Sequence, residues 1–401
     1  MTRESWPDGF MWGTGASSTQ CEGAAPHSDW YGWERAGHAP LSGQGNGFGS
    51  RYRQDFEALA SLGLTHHRLS LEWARLEPQA GQHDPDAVAH YRDVLAAAAG
   101  AGVTPWACLH HFTLPQWFAD RGGFLVEENR TTYWARHVRF VAETFADLVG
   151  GWQPVNETNY YAALAYRNGG GPPGHDDREE WSVASEQIHL ATAEAAVTLR
   201  ETGAPVSSIF GVSCEVPLDG SESTRTRAAS IRAVHWDPWV GLVRDGVLRV
   251  KGRPPVERPD LAGCFDLLGF SYYATTGVRD GAVVRYPQDA PRSPLGYSIW
   301  ADGLGLVLDR LADLFPGHPV LVAEYGVGTD DDAFRAEYLA EGIAAVRRAL
   351  RRGVDVRGFF HWTAVDNYEW LHGYDVSFGL LDRDRVVRPS ARVLAAEALG
   401  V

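Results

Sequence analysis

Two stretches decide the fold: Gly151-Trp152-Gln153-Pro154-Val155-Asn156-Glu157 and Pro319-Val320-Leu321-Val322-Ala323-Glu324. Each is a short run that lacks the spacing of a helix face, and each ends on a carboxylate. Six further runs of this kind are Gly9–Gly15, His67–Leu71, Thr104–His111, Ser208–Cys214, Phe265–Tyr272 and Val356–Trp362. Between them lie stretches with apolar residues three and four apart, which predict helices: Tyr52–Leu62, Asp86–Ala99, Thr132–Leu148, Ser182–Arg200, Asp302–Leu314 and Ala333–Arg351. Gly63, Gly102, Gly203 and Gly353 stand where left-handed helix caps are expected.

Strands apolar on both faces that alternate with helices form a parallel sheet. Eight such units predict an α/β fold, a single (β/α)8 TIM barrel over residues 1–401. A barrel needs about 250 residues, and longer loops account for the remainder. Two nucleotide-binding domains would need a Gly-rich phosphate loop after an early strand. Gly43-Gln44-Gly45-Asn46-Gly47 has neither the strand nor the spacing and reads as a loop. No linker or repeat divides the chain.

Composition narrows the function. A formal charge of −15, from 36 basic and 51 acidic residues, opposes nucleic acids, anionic membranes and polyanionic substrates. No run approaches the ~20 apolar residues of a membrane span, and the N-terminus does not read as a signal peptide. The four cysteines, Cys21, Cys108, Cys214 and Cys264, are isolated, which predicts a reduced, cytoplasmic protein without zinc or disulfides. No metal motif is present, and no cofactor is expected. Fifteen Trp offer platforms for sugar faces, which adds modest weight to carbohydrate binding.

Polar residues gather at the C-terminal ends of the expected strands: Gln20 and Glu22, Arg68, His111, Asn156-Glu157, Tyr272-Tyr273, Glu324 and Trp362. Catalytic groups of these barrels converge at that rim, and a core built for stability alone would not end strand after strand on groups costly to bury. Two acids at that rim suit cleavage of a glycosidic bond by double displacement, one protonating the leaving oxygen while the other attacks the anomeric carbon. His66, His110 and His361 read as packing residues.

The motifs resemble glycoside hydrolase family 1, the retaining β-glycosidases. They are Phe10-Met11-Trp12-Gly13 through Gln20-Cys21-Glu22-Gly23-Ala24, His67-Arg68-Leu69-Ser70 with Trp73-Ala74-Arg75, Leu109-His110-His111-Phe112, Asn156-Glu157, Glu324-Tyr325-Gly326, and Trp362 through Trp370 followed by Phe378-Gly379-Leu380. The resemblance implies Glu157 as acid/base and Glu324 as nucleophile, with Arg68 and Tyr273 beside the latter. It implies sugar contacts from Gln20, His111, Asn156, Tyr273, Trp362, Glu369, Trp370 and Phe378. Retention requires the two carboxyls ~5–5.5 Å apart, against ~6.5–9.5 Å for inversion. Glu369, if ionised, would repel a 6-phosphate, so an unphosphorylated β-glycoside or oligosaccharide, β-glucosides foremost, is the expected small-molecule partner.

The chain departs from the family pattern at several positions. Thr158 replaces a Pro, Asn159 a Trp, Tyr325 an Asn, and Ser271 the Asn before the paired tyrosines. Thr158, Asn159 and Tyr325 motivate an alternative, a transglycosylase using an alcohol acceptor; a non-catalytic sugar-binding barrel is a third reading. Tyr160, Trp236 and Trp300 are candidates for the leaving-group side, and Tyr166–Gly174 is expected to shape the entrance. The glycone, aglycone and oligomeric state stay open.

Overall fold

A computed structural model describes residues 5–401. Its eight barrel strands are β1 (Met11–Gly15), β2 (His66–Ser70), β3 (Thr104–His110), β4 (Gly151–Val155), β5 (Phe210–Val212), β6 (Leu268–Tyr272), β7 (Val320–Tyr325) and β8 (Val356–Trp362). They pair in the order β4-β3-β2-β1-β8-β7-β6-β5, and every neighbouring pair is parallel. The ends of this curled sheet meet through a parallel bridge between Trp152 and Val206. There Trp152 N donates to Pro205 O and Ser207 N to Trp152 O, both at 2.9 Å. The architecture is the expected TIM barrel.

Outside the sheet run α1 (Phe48–Ser61), α2 (Pro85–Gly100), α3 (Ala135–Phe145), α4 (Thr158–Tyr166), α5 (Arg178–Arg200), α6 (Glu222–His235), α7 (Asp237–Asp245), α8 (Asp302–Leu314), α9 (Asp332–Arg351) and α10 (Ala391–Leu399). Their starts are written in the sequence. Asp84, Asp177 and Asp331 each accept two backbone N–H groups at the head of α2, α5 and α9. Gly102 and Gly353, at φ 80° and 89°, take the left-handed conformation just beyond α2 and α9. No helix among the described residues is long and apolar enough to cross a membrane.

Two expected elements differ. The helix expected over Thr132–Leu148 is preceded by a wide π-type turn, Asn129–Trp134, and α3 closes at Phe145. The wide turn carries buried Asn129 and Arg130 inward, where Arg130 Nε donates to Gln187 at 2.8 Å. The strand expected over Ser208–Cys214 holds only Phe210–Val212 in the barrel. Beyond it Glu215–Pro217 joins a separate small sheet with Thr276–Arg279 and Ala282–Arg285.

The barrel interior is filled by Trp106, Ile209, Leu267, Leu321, Ala323 and Phe360, which form one buried cluster beneath the rim. A larger core lies between strands and helices and includes Val320, Val322 and Tyr325. Alternation along β7 therefore puts Leu321 and Ala323 inward and would carry Tyr325 inward next. It does not. The register against both β6 and β8 shifts between Val322 and the strand end, so Tyr325 turns outward onto Tyr338 of α9, with ring centroids 4.5 Å apart. This bulge delivers Glu324 to the barrel mouth.

A buried clasp secures the loop after β8 to α1. Arg385 donates to both oxygens of Asp55 at 2.7 and 2.9 Å and to Asn46 O at 2.7 Å. Asp55→Ala leaves that guanidinium buried and unpaired, so denaturant unfolding should show a loss of about 3–5 kcal/mol. Asp93→Ala breaks only the exposed Arg53–Asp93 pair, 3.6 Å apart, and should cost less than about 1 kcal/mol.

Candidate active site

One cavity of about 500 Å³ opens at the C-terminal ends of the strands, and Glu157 and Glu324 both line it. So do Gln20, His111, Asn156, Tyr273, Trp362, Glu369, Trp370 and Phe378. Arg68 lies beneath them, fully buried in the middle of β2 rather than at its end. From there it donates to Glu324 Oε1, to His111 Nδ1 at 2.9 Å and to Asn156 Oδ1 at 3.2 Å. Its guanidinium sits 5.1 Å from the Trp362 ring centroid, so the indole holds it flat.

The two carboxyls live in opposite environments. Glu324 Oε2 accepts the Tyr273 hydroxyl at 2.8 Å while Oε1 takes Arg68, so a donor holds each oxygen. Burial and the nearby Glu324 charge push Tyr273 well up, which keeps its proton in place. Glu157 follows β4 and begins α4, at φ 45° and ψ 54°. That left-handed backbone is a strained conformation for a non-glycine residue and turns the side chain into the cavity. Burial, reinforced by the charge of Glu324, raises its carboxyl to about 8. At neutral pH Glu157 therefore holds a proton, while Glu324 is the carboxyl paired with Arg68.

Strand β6 stands between them. Ser271 is the Cα partner of Glu324 on β7, and its hydroxyl donates to Glu157 Oε1.

Around this pair the remaining groups form a sugar-sized pocket. Gln20 Nε2 donates to Tyr368 O at 2.8 Å and to Glu369 Oε2 at 3.2 Å, which places an amide and a carboxyl side by side for neighbouring hydroxyls. Trp362 packs with Val376 and Phe378 as one wall, and His111 lies stacked between Trp362 and Trp370, at 5.5 and 6.0 Å. Burial, then Glu324 and Glu157, lift Glu369 to about 8. The expected repulsion of a phosphate by ionised Glu369 is thus corrected, because the carboxyl is mostly neutral at pH 7. The unfavourable feature for a phosphate is instead a lining that offers it no Lys or Arg.

Several sequence expectations are corrected. Glu22 lies off the site, with Arg75 at 3.4 Å and the Tyr91 hydroxyl at 2.9 Å. Trp236 is a core residue whose Nε1 donates to Ser213 O; its neighbour His235 faces the cavity instead. Trp300 stays off the lining and stands edge-on to Tyr286. Tyr160 does line the cavity, and Gly170 of the Tyr166–Gly174 loop reaches it, as does the adjoining Leu164. Of the three residues behind the acceptor alternative, Thr158 is buried against Thr192 and Tyr325 faces α9, leaving Asn159 on the cavity. Tyr297 and Leu295 were missed. They sit in a long loop without strand or helix pattern, so no local signal marks them.

Comparison with known proteins agrees with this geometry. The model of glycosyl hydrolase family 1 matches residues 2–396. A β-galactosidase of Sulfolobus acidocaldarius is 27% identical, over 97% of this chain and 94% of its own length. A coniferin β-glucosidase of Pinus contorta is 26% identical, over 96% and 89%. Among solved structures, a β-glycosidase from Pyrococcus horikoshii superposes with a TM-score of 0.91 at 28% identity, covering 98% of this chain and 95% of that one. A barrel whose mouth gathers Glu157 and Glu324 in one cavity, matched by a family model almost from end to end, belongs to glycosyl hydrolase family 1.

Proposed function

We propose that the whole chain works as one domain, a retaining β-glycosidase that hydrolyses unphosphorylated β-D-glycosides, with β-glucosides its foremost substrates. The carrying observation is the division of the two carboxyls within one cavity: Glu324 paired with Arg68 and Tyr273, Glu157 buried and raised to about 8. Such a division assigns acid and nucleophile. Glu324 attacks the anomeric carbon as Glu157 passes its proton to the leaving oxygen, and the sugar is left as an ester of Glu324. Glu157, now a carboxylate, takes a proton from water, whose oxygen displaces Glu324 with net retention. Asn156, held by Arg68, supports the 2-hydroxyl, a contact worth most in the transition state. Gln20 and Glu369 suit a pair of adjacent hydroxyls further round the ring.

Transfer to an alcohol acceptor has lost most of its support, since only Asn159 of its three residues faces the cavity. The four cysteines are free and buried, which fits a reducing cytoplasm.

On aryl β-glucosides Glu324→Ala should reduce turnover to background, and retained activity would refute the assignment. Glu157→Ala should cost on the order of 10²–10⁴-fold with poor leaving groups and far less with good ones. NMR of the first product should show the β-anomer. Because the acid must be protonated, kcat/KM should fall as pH rises through about 8, where Glu157 and Glu369 both titrate. In Glu369→Gln a basic limb should persist, carried by Glu157 alone; its disappearance would assign the limb to Glu369.

A further inference from the structure

Asn159 and Ser271, two positions where the chain departs from its family's pattern, converge on the same carboxyl. Asn159 Nδ2 donates to Gly211 O at 2.7 Å, and its Oδ1 accepts Gly211 N–H at 3.0 Å. A two-way bond of this kind holds one residue through both peptide groups that flank its Cα. The same amide reaches His235 O at 3.4 Å, so it also ties β5 to the end of α6. Gly211 then lies directly against the acid: a Cβ built on it would stand 3.0 Å from Glu157 Oε1 and 3.2 Å from the carboxyl carbon. On the next strand Ser271 is the Cα partner of Gly211, and its hydroxyl donates to that same Oε1.

We infer that Asn159, Gly211 and Ser271 form a cradle that positions Glu157 for proton donation, with Ser271 holding Oε1 so that Oε2 carries the proton toward the leaving oxygen. This rests on the reading of Glu157 as the acid. The physical reasoning is direct. Oε1 is taken by the Ser271 hydroxyl and lies on the side of Gly211, where a side chain would crowd it, so Oε2 is the oxygen we assign to the leaving group. Asn159 acts at one remove, by keeping the Gly211 peptide where a shift would release the carboxyl. Both are positioning residues, since neither needs to touch the reacting atoms.

Ser271 also biases the titration. Its donated hydrogen bond favours the anion and opposes burial and the Glu324 charge, as does Arg68. The other ionisable groups coupled to Glu157 are Glu369, Tyr160, Tyr273 and Tyr297. Losing the Ser271 bond must therefore raise the Glu157 pKa, and the alkaline limb must move to higher pH.

The test compares Ser271→Ala, Ser271→Thr, Asn159→Ala and Glu157→Gln over a series of aryl β-glucosides with graded leaving groups. With Ser271→Ala, the alkaline limb of kcat/KM should move up by about one unit. Its activity should fall about tenfold on poor leaving groups and hardly at all on good ones. Ser271→Thr, which keeps the hydroxyl, should restore both. Asn159→Ala should show the same selective loss on poor leaving groups. Unchanged limbs and leaving-group dependence in both alanine variants, with Glu157→Gln defective, would overturn the cradle and leave the acid assignment standing. A Glu157→Gln enzyme with parental leaving-group dependence would overturn both.

Discussion

A single buried cation orders the mouth of this barrel. Glu157, Glu324 and Glu369 share one cavity, and Arg68 is the guanidinium set among them. Neighbouring buried carboxyls oppose one another's ionisation, so the partner of a single cation matters. Arg68 reaches Glu324, and Tyr273 takes the other oxygen of that group. The remaining two carboxyls then feel burial and the Glu324 charge, and both rise to about 8. The location of one charge thus sets Glu324 apart from the two raised carboxyls.

Arg68 can serve in this way because the fold holds it rigidly. It stands on the middle of β2, facing Gly15 on one neighbour and Trp106 on the other. A Cβ at Gly15 would lie 2.9 Å from Trp362 Cε3 and 3.1 Å from Arg68 Nη2, so glycine leaves the indole and guanidinium their places. Trp362 covers its face, and His111 and Asn156 use the donors that Glu324 leaves free. The same side chain thus holds Glu324, His111 and Asn156, three residues that line the cavity. A buried charge is unfavourable unless it is paired, and here Nη1 and Nη2 find His111, Asn156 and Glu324 while Nε has no partner among the described residues.

Much of this was legible beforehand for a definable reason. The apolar runs, the helix spacing and the capping residues are local patterns, and local patterns survive into the folded state when tertiary packing agrees with them. Asp84, Asp177 and Asp331 cap helices, as their positions before amphipathic stretches suggest. The motif residues Gln20, His111, Asn156 and Trp370 reach the cavity because strand ends in a parallel barrel share one rim. Trp236 and Glu22 misled for the complementary reason. A tryptophan or a glutamate beside a motif has no local mark that tells a core or outer position from a rim one, and packing sent both elsewhere.

The order of residues alone determined the eightfold alternation, the two acids at strand ends and the amino acids that depart from the family pattern. Tertiary structure decided the direction in which those residues point. Alternation along β7 would have turned Tyr325 into the barrel, and only the register shift against β6 and β8 brings Glu324 there. The meeting of Glu157, Asn159, Gly211 and Ser271 likewise needs the start of α4 and strands β5 and β6 brought together, with Gly211 and Ser271 in register. Side-chain type is local information, but a bulge or a cross-strand contact is a relation between distant segments, which exists only once the sheet has closed.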